Sequence, residues 1–168
     1  MKLATNASPL IFLGKVELLP LLQSCFSQVL APPAVVTESR LALPEFIACT
    51  RLSDIGDAFV RGAIGTLHRG EIEAMILARE QGIDLVAMDD KAARSKARQL
   101  GLRPIGTLGL IVLAQRLGHL DATTAMTKVD ALVDLHGLYL SNQVRQQIRG
   151  QLSVAGTPSV PHAPIEGG

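Results

Sequence analysis

Residues 83–90 read Ile-Asp-Leu-Val-Ala-Met-Asp-Asp and contain the stretch that decides the fold. In Ile83–Met88 every residue except Asp84 is apolar, which is typical of a strand that is buried on both faces of a parallel sheet. The pattern of Lys91–Leu100, which ends before Gly101, predicts a helix directly after this strand. A buried strand followed by a helix is the repeating unit of an α/β protein.

The same alternation of short apolar runs and helical patterns occurs along most of the chain. Further strands are predicted at Leu3–Thr5, Gln28–Ala31, Phe46–Cys49 (as an edge strand) and Arg103–Ile105. Further helices are predicted from a cap at Ser8 to Leu22 with a break near Gly14, from Pro33 to about Leu41, and at 70–81, 107–117, 122–135 and 141–150. Residues 50–69 show no clear period, and we assign no element to them. The sequence therefore predicts an α/β fold with a parallel sheet.

Length, hydrophobicity and charge limit the possible classes of protein. With 168 residues and 48% hydrophobic content, the chain can form one domain with a substantial core. The net charge of +1 means that any contact with nucleic acid must come from a local basic patch. No apolar run reaches the roughly 20 residues of a membrane span, and the N-terminal stretch lacks the apolar segment of a signal peptide. We expect a cytoplasmic protein without membrane contact, with its domain at 1–150 and a disordered tail at 151–168.

Four carboxylates are expected near the carboxyl edge of this sheet: Glu38, Glu71, Asp89 and Asp90. Asp89 and Asp90 leave the buried strand in succession, so one can face a site while the other caps the helix that begins at Lys91. Capping alone would explain one of them but not both. Without a cation, each pair of carboxylates about 5 Å apart would repel by roughly 3 kcal/mol at an effective dielectric of 20. Either one acid is protonated, or a hard cation such as Mg²⁺ or Mn²⁺ lies among them.

Helical spacing distinguishes the glutamates from one another. Glu71 shares a face with the apolar residues Ala74, Met75 and Ala78, whereas Glu73 shares its face with Glu80. We therefore expect Glu71 to face the core and Glu73 to face water. By the same test Glu38 falls in line with Ala34, Val35, Leu41 and Ala42, on an apolar face. A buried acid is costly unless it is paired, protonated or metal-bound. The alternatives are an Arg partner or a position at a half-exposed helix end, where the helix dipole favours an acid such as Glu71.

A basic helix is predicted directly after the aspartate pair. Lys91, Arg94 and Arg98 share one face of it, which suits contacts with RNA phosphates, although a solvated surface helix is the alternative. Aromatic side chains for base stacking are scarce, with four Phe and the single Tyr139. The four histidines have no ligand spacing and are expected at the surface or in structural positions: His68, His119, His136 and His162.

Six short motifs, taken together, resemble a branch of the PIN-domain-like proteins. That branch is the DUF3368-type family, which is similar to the ribonuclease toxins of VapBC toxin–antitoxin pairs. The motifs are Asn6–Ile11, Pro33–Glu38, Gly70–Ala74, Ala87–Arg94, Gly106–Gly109 and Gly137–Ser141, and the likeness covers most of residues 1–150. The resemblance implies a three-layer α/β/α fold around a central, mainly parallel sheet of four or five strands.

The resemblance also implies the site of a metal-dependent endoribonuclease. Mg²⁺ or Mn²⁺ would be held by Asn6, Glu38, Glu71 and Asp89, and Asp90 is a neighbour that could replace Asp89. The catalytic residues would be the four acids Glu38, Glu71, Asp89 and Asp90. Asn6 stands where the family has an acid, and since an amide brings no negative charge, we expect a weaker affinity for the metal.

The remaining implications concern support of the site and partners. Ser8 would steady a bound water or cap the first helix, and Thr107 would cap a helix or support the site. RNA, bound by Lys91, Arg94 and Arg98, would be the substrate, and an antitoxin protein a partner. A homodimer is expected from the apolar faces of the two C-terminal helices. The alternative is a degenerate relative that binds nucleic acid or protein without catalysis.

Overall fold

The computed structural model describes residues 1–63 and 67–154. In these ranges the chain forms one sheet from five strands: β1 (Lys2–Thr5), β2 (Gln28–Ala31), β3 (Ile47–Cys49), β4 (Leu85–Ala87) and β5 (Arg103–Ile105). Their order is β3-β2-β1-β4-β5, and every neighbouring pair is parallel. The predicted parallel sheet and the edge position of β3 are confirmed. β4 is shorter than the predicted strand at 83–88, although the Asp84 carbonyl and the Met88 N–H still form hydrogen bonds with β5.

Helices connect the strands. They are α1 (Ala7–Lys15), α2 (Pro20–Cys25), α3 (Pro33–Ser39), α4 (Asp54–Ala63), α5 (Arg69–Glu80), α6 (Lys91–Gln99), α7 (Thr107–Arg116), α8 (Ala122–Asp134) and α9 (Asn142–Val154). α4 lies in the stretch that the sequence left without an element. Within the part of the chain that the structure describes, no helix combines the length and the hydrophobicity needed to cross a bilayer.

The strands alternate between two hydrophobic cores, one on each face of the sheet. Leu3 and Leu85 face the larger core with residues of α1, α2, α7, α8 and α9. Ala4 and Val86 face the other core, which α5 and α6 close. Successive strand residues point to opposite faces, so β1, β2 and β4 supply both cores. The three-layer α/β/α architecture is thus confirmed.

Two helix ends differ from the predictions for local reasons. The first helix is capped by Asn6, whose side chain accepts a hydrogen bond from the N–H of Ala7, and not by Ser8. α3 ends at Ser39 and not near Leu41, since Arg40 adopts a left-handed conformation with φ 54° that stops the helix.

The C-terminal helices pack within their own chain. The apolar face of α8 and α9, which includes Val129, Leu132 and Leu152, is buried in the larger core. The surface that suggested a homodimer is therefore already covered, and the homodimer stays a prediction without that support. α9 continues to Val154, past the boundary expected at 150; the rest of the expected tail, 155–168, lies outside the described residues.

Candidate active site

A cavity of about 540 Å³ opens at the carboxyl edge of the sheet. We call it the acid cavity, and its lining residues are Asn6, Ser8, Phe12, Glu38, His68, Glu71, Asp89, Asp90, Ala92, Leu138 and Tyr139. β1 and β4 are neighbours, and the Asn6 N–H donates to the Ala87 carbonyl at 2.9 Å, so the residues that follow these strands come side by side. The fold thus gathers all four predicted acids and Asn6 around one space.

Asp89 is held by three hydrogen-bond donors. Its Oδ1 accepts from the Thr107 N–H at 2.7 Å, and its Oδ2 accepts from Thr107 Oγ1 at 2.6 Å and from Ser8 Oγ at 3.1 Å. Thr107 is fully buried at the first position of α7, so Asp89 caps this helix from the end of β4. Ser8 and Thr107 therefore both act through Asp89, and this carboxylate has a fixed orientation.

Asp90 caps the following helix. Its Oδ1 accepts from the Ala93 N–H at 2.8 Å, which confirms that one of the two aspartates caps α6. Because Asp89 caps α7, helix capping accounts for both carboxylates, contrary to the expectation that it would explain only one. Each residue nevertheless also lines the acid cavity.

Glu71 is buried at the start of α5, with 5% of its surface exposed. Its Oε2 accepts from the His68 N–H at 3.0 Å, and His68 is the N-cap of the helix in a reciprocal capping box. Burial raises the pKa of Glu71 above its ordinary value of 4.5. The charges of Asp90 and Glu38 also raise this pKa, whereas the hydrogen bond and the charge of His68 lower it.

The raised pKa of Glu71 predicts how stability depends on pH. The folded protein keeps this proton at a pH where the unfolded chain has released it, so the contribution of Glu71 to stability is largest below pH 4.5 and is lost as the pH rises through the folded pKa. We expect the free energy of unfolding of the metal-free protein, relative to that of Glu71→Gln, to fall as the pH rises from 4.5 through the folded pKa of Glu71. Urea unfolding of both proteins across this range measures the difference. A relative stability that rose with pH would contradict the prediction.

Glu38 is exposed at the mouth of the cavity, so its predicted location on an apolar face is wrong. Since α3 ends at Ser39, the apolar residues Leu41 and Ala42 do not continue that face. Glu38 Oε2 and Asn6 Oδ1 lie 2.6 and 3.4 Å from the position that a Cβ atom at Gly70 would take. Gly70 therefore leaves the space in which these two oxygens approach the first turn of α5.

Glu73 is buried, with 3% of its surface exposed, and the prediction that it faces water is wrong. Its Oε1 accepts from Arg69 Nε at 2.6 Å, and its Oε2 accepts from the Ala34 N–H at 3.2 Å. Pro33 has no N–H, so Ala34 supplies the first free donor of α3. Glu73 thus ties α3 to α5, the two helices that carry Glu38 and Glu71.

Four helices begin around the acid cavity, each with an oxygen of the site on its first N–H groups. Asn6 caps α1, Glu71 bonds at the start of α5, Asp90 caps α6 and Asp89 caps α7. Helix N-termini carry partial positive charge and stabilise carboxylates by roughly 0.3–1 kcal/mol each. The repulsion between the carboxylates was predicted to require a proton or a cation. The N–H donors of the four helices already offset part of it.

The donor set suits a hard divalent cation. Carboxylate and amide oxygens are the ligands that Mg²⁺ and Mn²⁺ prefer, and a carboxylate has about four lone pairs, so that even Asp89 with three hydrogen bonds keeps one for a metal. Glu38 accepts no hydrogen bond from the described residues, and Glu71 Oε1 is likewise available. In residues 1–63 and 67–154, however, no three Asp, Glu, His or Cys side chains stand in a ready arrangement for a metal ion. The chemistry of the residues fits the cation, and the exposed Glu38 side chain would have to turn toward it while Asp89 keeps its place.

The predicted basic face of α6 lies beside the acid cavity. Arg94 is half-buried, and its Nη1 lies 3.7 Å from the position of a Cβ atom at Gly106, where Asp89 Oδ1 lies at 3.1 Å. The Nε of Arg94 is buried and has no hydrogen-bond partner in the described residues. Lys91 and Arg98 are exposed. Of the three, Arg94 is the one whose guanidinium these distances place near Asp89.

Several residues of the site were missed from the sequence. His68 was expected at the surface or in a structural position, but it lines the acid cavity. It also lines a neighbouring cavity of about 780 Å³, and Glu38 is part of the wall of both. Phe12, Leu138 and Tyr139 complete the apolar part of the wall. A signal for Tyr139 was present, because it lies in the motif Gly137–Ser141.

Comparison with known proteins gives one match. A family model described as a PIN domain, DUF3368, matches residues 2–153. No curated protein and no solved structure matches the chain.

Proposed function

Because the chain belongs to the DUF3368 family of PIN domains, which have a nuclease-type fold, we propose that it is an Mg²⁺- or Mn²⁺-dependent endoribonuclease of the cytoplasm. The observation that supports this proposal most is the acid cavity, where Glu38, Glu71, Asp89, Asp90 and the Asn6 amide surround one space. An opening of about 540 Å³ has room for a hydrated cation and a phosphodiester group.

Each residue of the cavity has a distinct part in the proposed reaction. Glu38, Glu71, Asp89 and the carbonyl oxygen of Asn6 would hold the cation, with Asp90 as the alternative to Asp89. When bound, a divalent cation activates water and offsets the charge that develops on a phosphodiester. Ser8 and Thr107 keep Asp89 in place through their hydrogen bonds.

The basic face of α6 would bind the RNA backbone. Arg94, whose Nη1 lies near Asp89 at Gly106 and whose Nε has no partner in the described residues, would contact the phosphate that is cleaved. Lys91 and Arg98 would contact neighbouring phosphates. Such contacts hold the backbone without reading its sequence.

A second candidate function is a binding module without catalysis. It is favoured by Asn6, which brings no charge to the metal, and by the helix-capping role of Glu71, Asp89 and Asp90. The acid cavity would then accept a partner protein. If the protein is instead an enzyme, an antitoxin that covers the acid cavity would inhibit it. A homodimer is a separate proposal about its assembly.

Replacement of Glu38 tests the proposed function with little disturbance of the fold, because this carboxylate is exposed and unbonded within the described residues. We expect native protein to cleave unstructured RNA with Mn²⁺ and not with EDTA, and Glu38→Gln to lower both Mn²⁺ affinity and cleavage by about tenfold or more. Calorimetry and a fluorogenic RNA measure the two quantities.

Glu45→Gln is the matched control, since Glu45 is exposed and outside both cavities. It should behave like native protein. Equal cleavage by all three proteins, or cleavage that persists in EDTA, would refute a metal-dependent nuclease.

A further inference from the structure

Tyr139 stands at the rim of the acid cavity with 91% of its surface exposed. It is the only tyrosine of the chain. We propose that its ring is the platform on which an unpaired nucleobase stacks, next to the phosphodiester that the acids receive. This inference rests on the proposed function, and it adds a base-binding subsite to it.

The connection between α8 and α9 holds Tyr139 in this position. Leu138 is buried, and its N–H donates to the Leu132 carbonyl at 2.9 Å. Gly137, with φ 70°, supplies the left-handed turn that brings the chain back from α8. The backbone before the ring is therefore anchored, while the ring itself is exposed at the cavity that Asp89 and Asp90 also line.

The surroundings favour a nucleobase over an apolar side chain of a protein. The cavity beside the ring is lined mainly by carboxylates, the Asn6 amide and the Ser8 hydroxyl. Ala92 of α6 also lines it, so the cations of the first turns of α6 stand near the same opening. A flat nucleobase can stack on the single exposed ring, and the phosphate attached to it can reach the nearby cations of α6. An apolar protein segment would place part of its surface against carboxylates, the amide and the hydroxyl.

Tyrosine fluorescence gives a direct test. The chain has no tryptophan and one tyrosine, so the emission reports on Tyr139 alone. A 2′-O-methyl oligonucleotide cannot be cleaved, and it is titrated in EDTA, with correction for absorption by the bases. We expect it to quench the emission, and an abasic oligonucleotide of equal length and charge to leave it unchanged. Quenching by both, or by neither, would overturn the stacking site.

Substitutions provide the second measurement. Tyr139→Ala should weaken binding of the labelled oligonucleotide in EDTA by roughly fivefold to a hundredfold, the usual effect of one stacked base. Tyr139→Phe should bind like native protein, because it keeps the ring. Leu135→Ala, which removes another exposed side chain (77%) from the same connection and lies outside the cavity, should also bind like native protein.

Kinetics separate the subsite from the chemistry. With Mn²⁺, Tyr139→Ala should raise KM and leave kcat close to the native value, and Tyr139→Phe should restore KM. Equal binding by Tyr139→Ala and native protein would overturn the subsite even if RNA is cleaved. If the native protein does not cleave RNA, the proposed function fails, while the fluorescence titration and the binding series in EDTA still decide the subsite.

Discussion

Asp89→Asn is expected to lower Mn²⁺-dependent cleavage of RNA by roughly a hundredfold or more. Loss of a group that only orients a metal ligand costs about 10- to 100-fold, and Asp89 is proposed as a ligand itself. Its carboxylate is fixed by Thr107 and Ser8, so the structure holds this charge at the edge of the cavity. The asparagine can still accept from the Thr107 N–H, and the fold should persist.

A comparison with Asp90→Asn decides which aspartate binds the metal. Asparagine is as good a helix cap as aspartate, so the bond to the Ala93 N–H should survive and stability should change little. We expect a smaller loss of cleavage and of Mn²⁺ affinity than for Asp89→Asn. The measurements are single-turnover cleavage, Mn²⁺ calorimetry and thermal unfolding of each variant.

Two opposite results would revise the site. A larger loss for Asp90→Asn would make Asp90 the ligand and leave Asp89 as the cap of α7. Native activity in both variants, together with native Mn²⁺ affinity, would mean that helix capping is the whole role of the pair. Unfolding data separate these cases from a loss that only reflects instability.

The layout of the sheet could be predicted from local pattern. β2 and β5 have the predicted bounds. β2 contains three apolar residues in a row, and β5 lies between Gly101 and Gly106, which favour turns. The approach of Asn6 to Asp89 and Asp90 also followed from pattern, because residues after parallel strands meet at one edge. These features depend on sequence neighbours and on the general geometry of parallel sheets.

The partners of individual acids could not be predicted, because they come from other elements. Glu73 is buried because Ala34, 39 residues away, supplies an N–H to its carboxylate, and no helical periodicity contains that contact. Glu38 is exposed because α3 stops one residue later, where Arg40 turns left-handed. The site role of Tyr139 depends on the fold of the α8–α9 connection against the sheet, which local pattern does not specify.

Asn6→Asp is expected to have the second large effect, which is a gain of affinity for Mn²⁺. Asn6 is 4% exposed, and its Oδ1 caps α1 through the Ala7 N–H. Aspartate has the same shape and also caps helices, so the backbone should not change. It adds a negative charge beside Glu38 and Glu71, and the affinity for Mn²⁺ should rise by about tenfold or more, because an anionic ligand replaces a neutral one.

The same charge should destabilise the protein without metal. Two carboxylates about 5 Å apart repel by roughly 3 kcal/mol at an effective dielectric of 20, and the introduced carboxylate would be buried near other acids. In EDTA the variant should therefore unfold at a lower temperature than native protein. Saturating Mn²⁺ should raise its Tm by more than that of native protein, since stabilisation grows with affinity.

Asn142→Asp is the matched control for these two effects of Asn6→Asp, the lower stability in EDTA and the larger rise of Tm with Mn²⁺. It makes the same change at the exposed first position of α9, outside the acid cavity, and should respond to Mn²⁺ as native protein does. If Asn6→Asp cleaves RNA and the native chain does not, the native chain is a binding module whose catalysis was lost at this one residue. If Asn6→Asp gains neither Mn²⁺ affinity nor cleavage, Asn6 does not occupy a ligand position, and its amide serves only to begin α1.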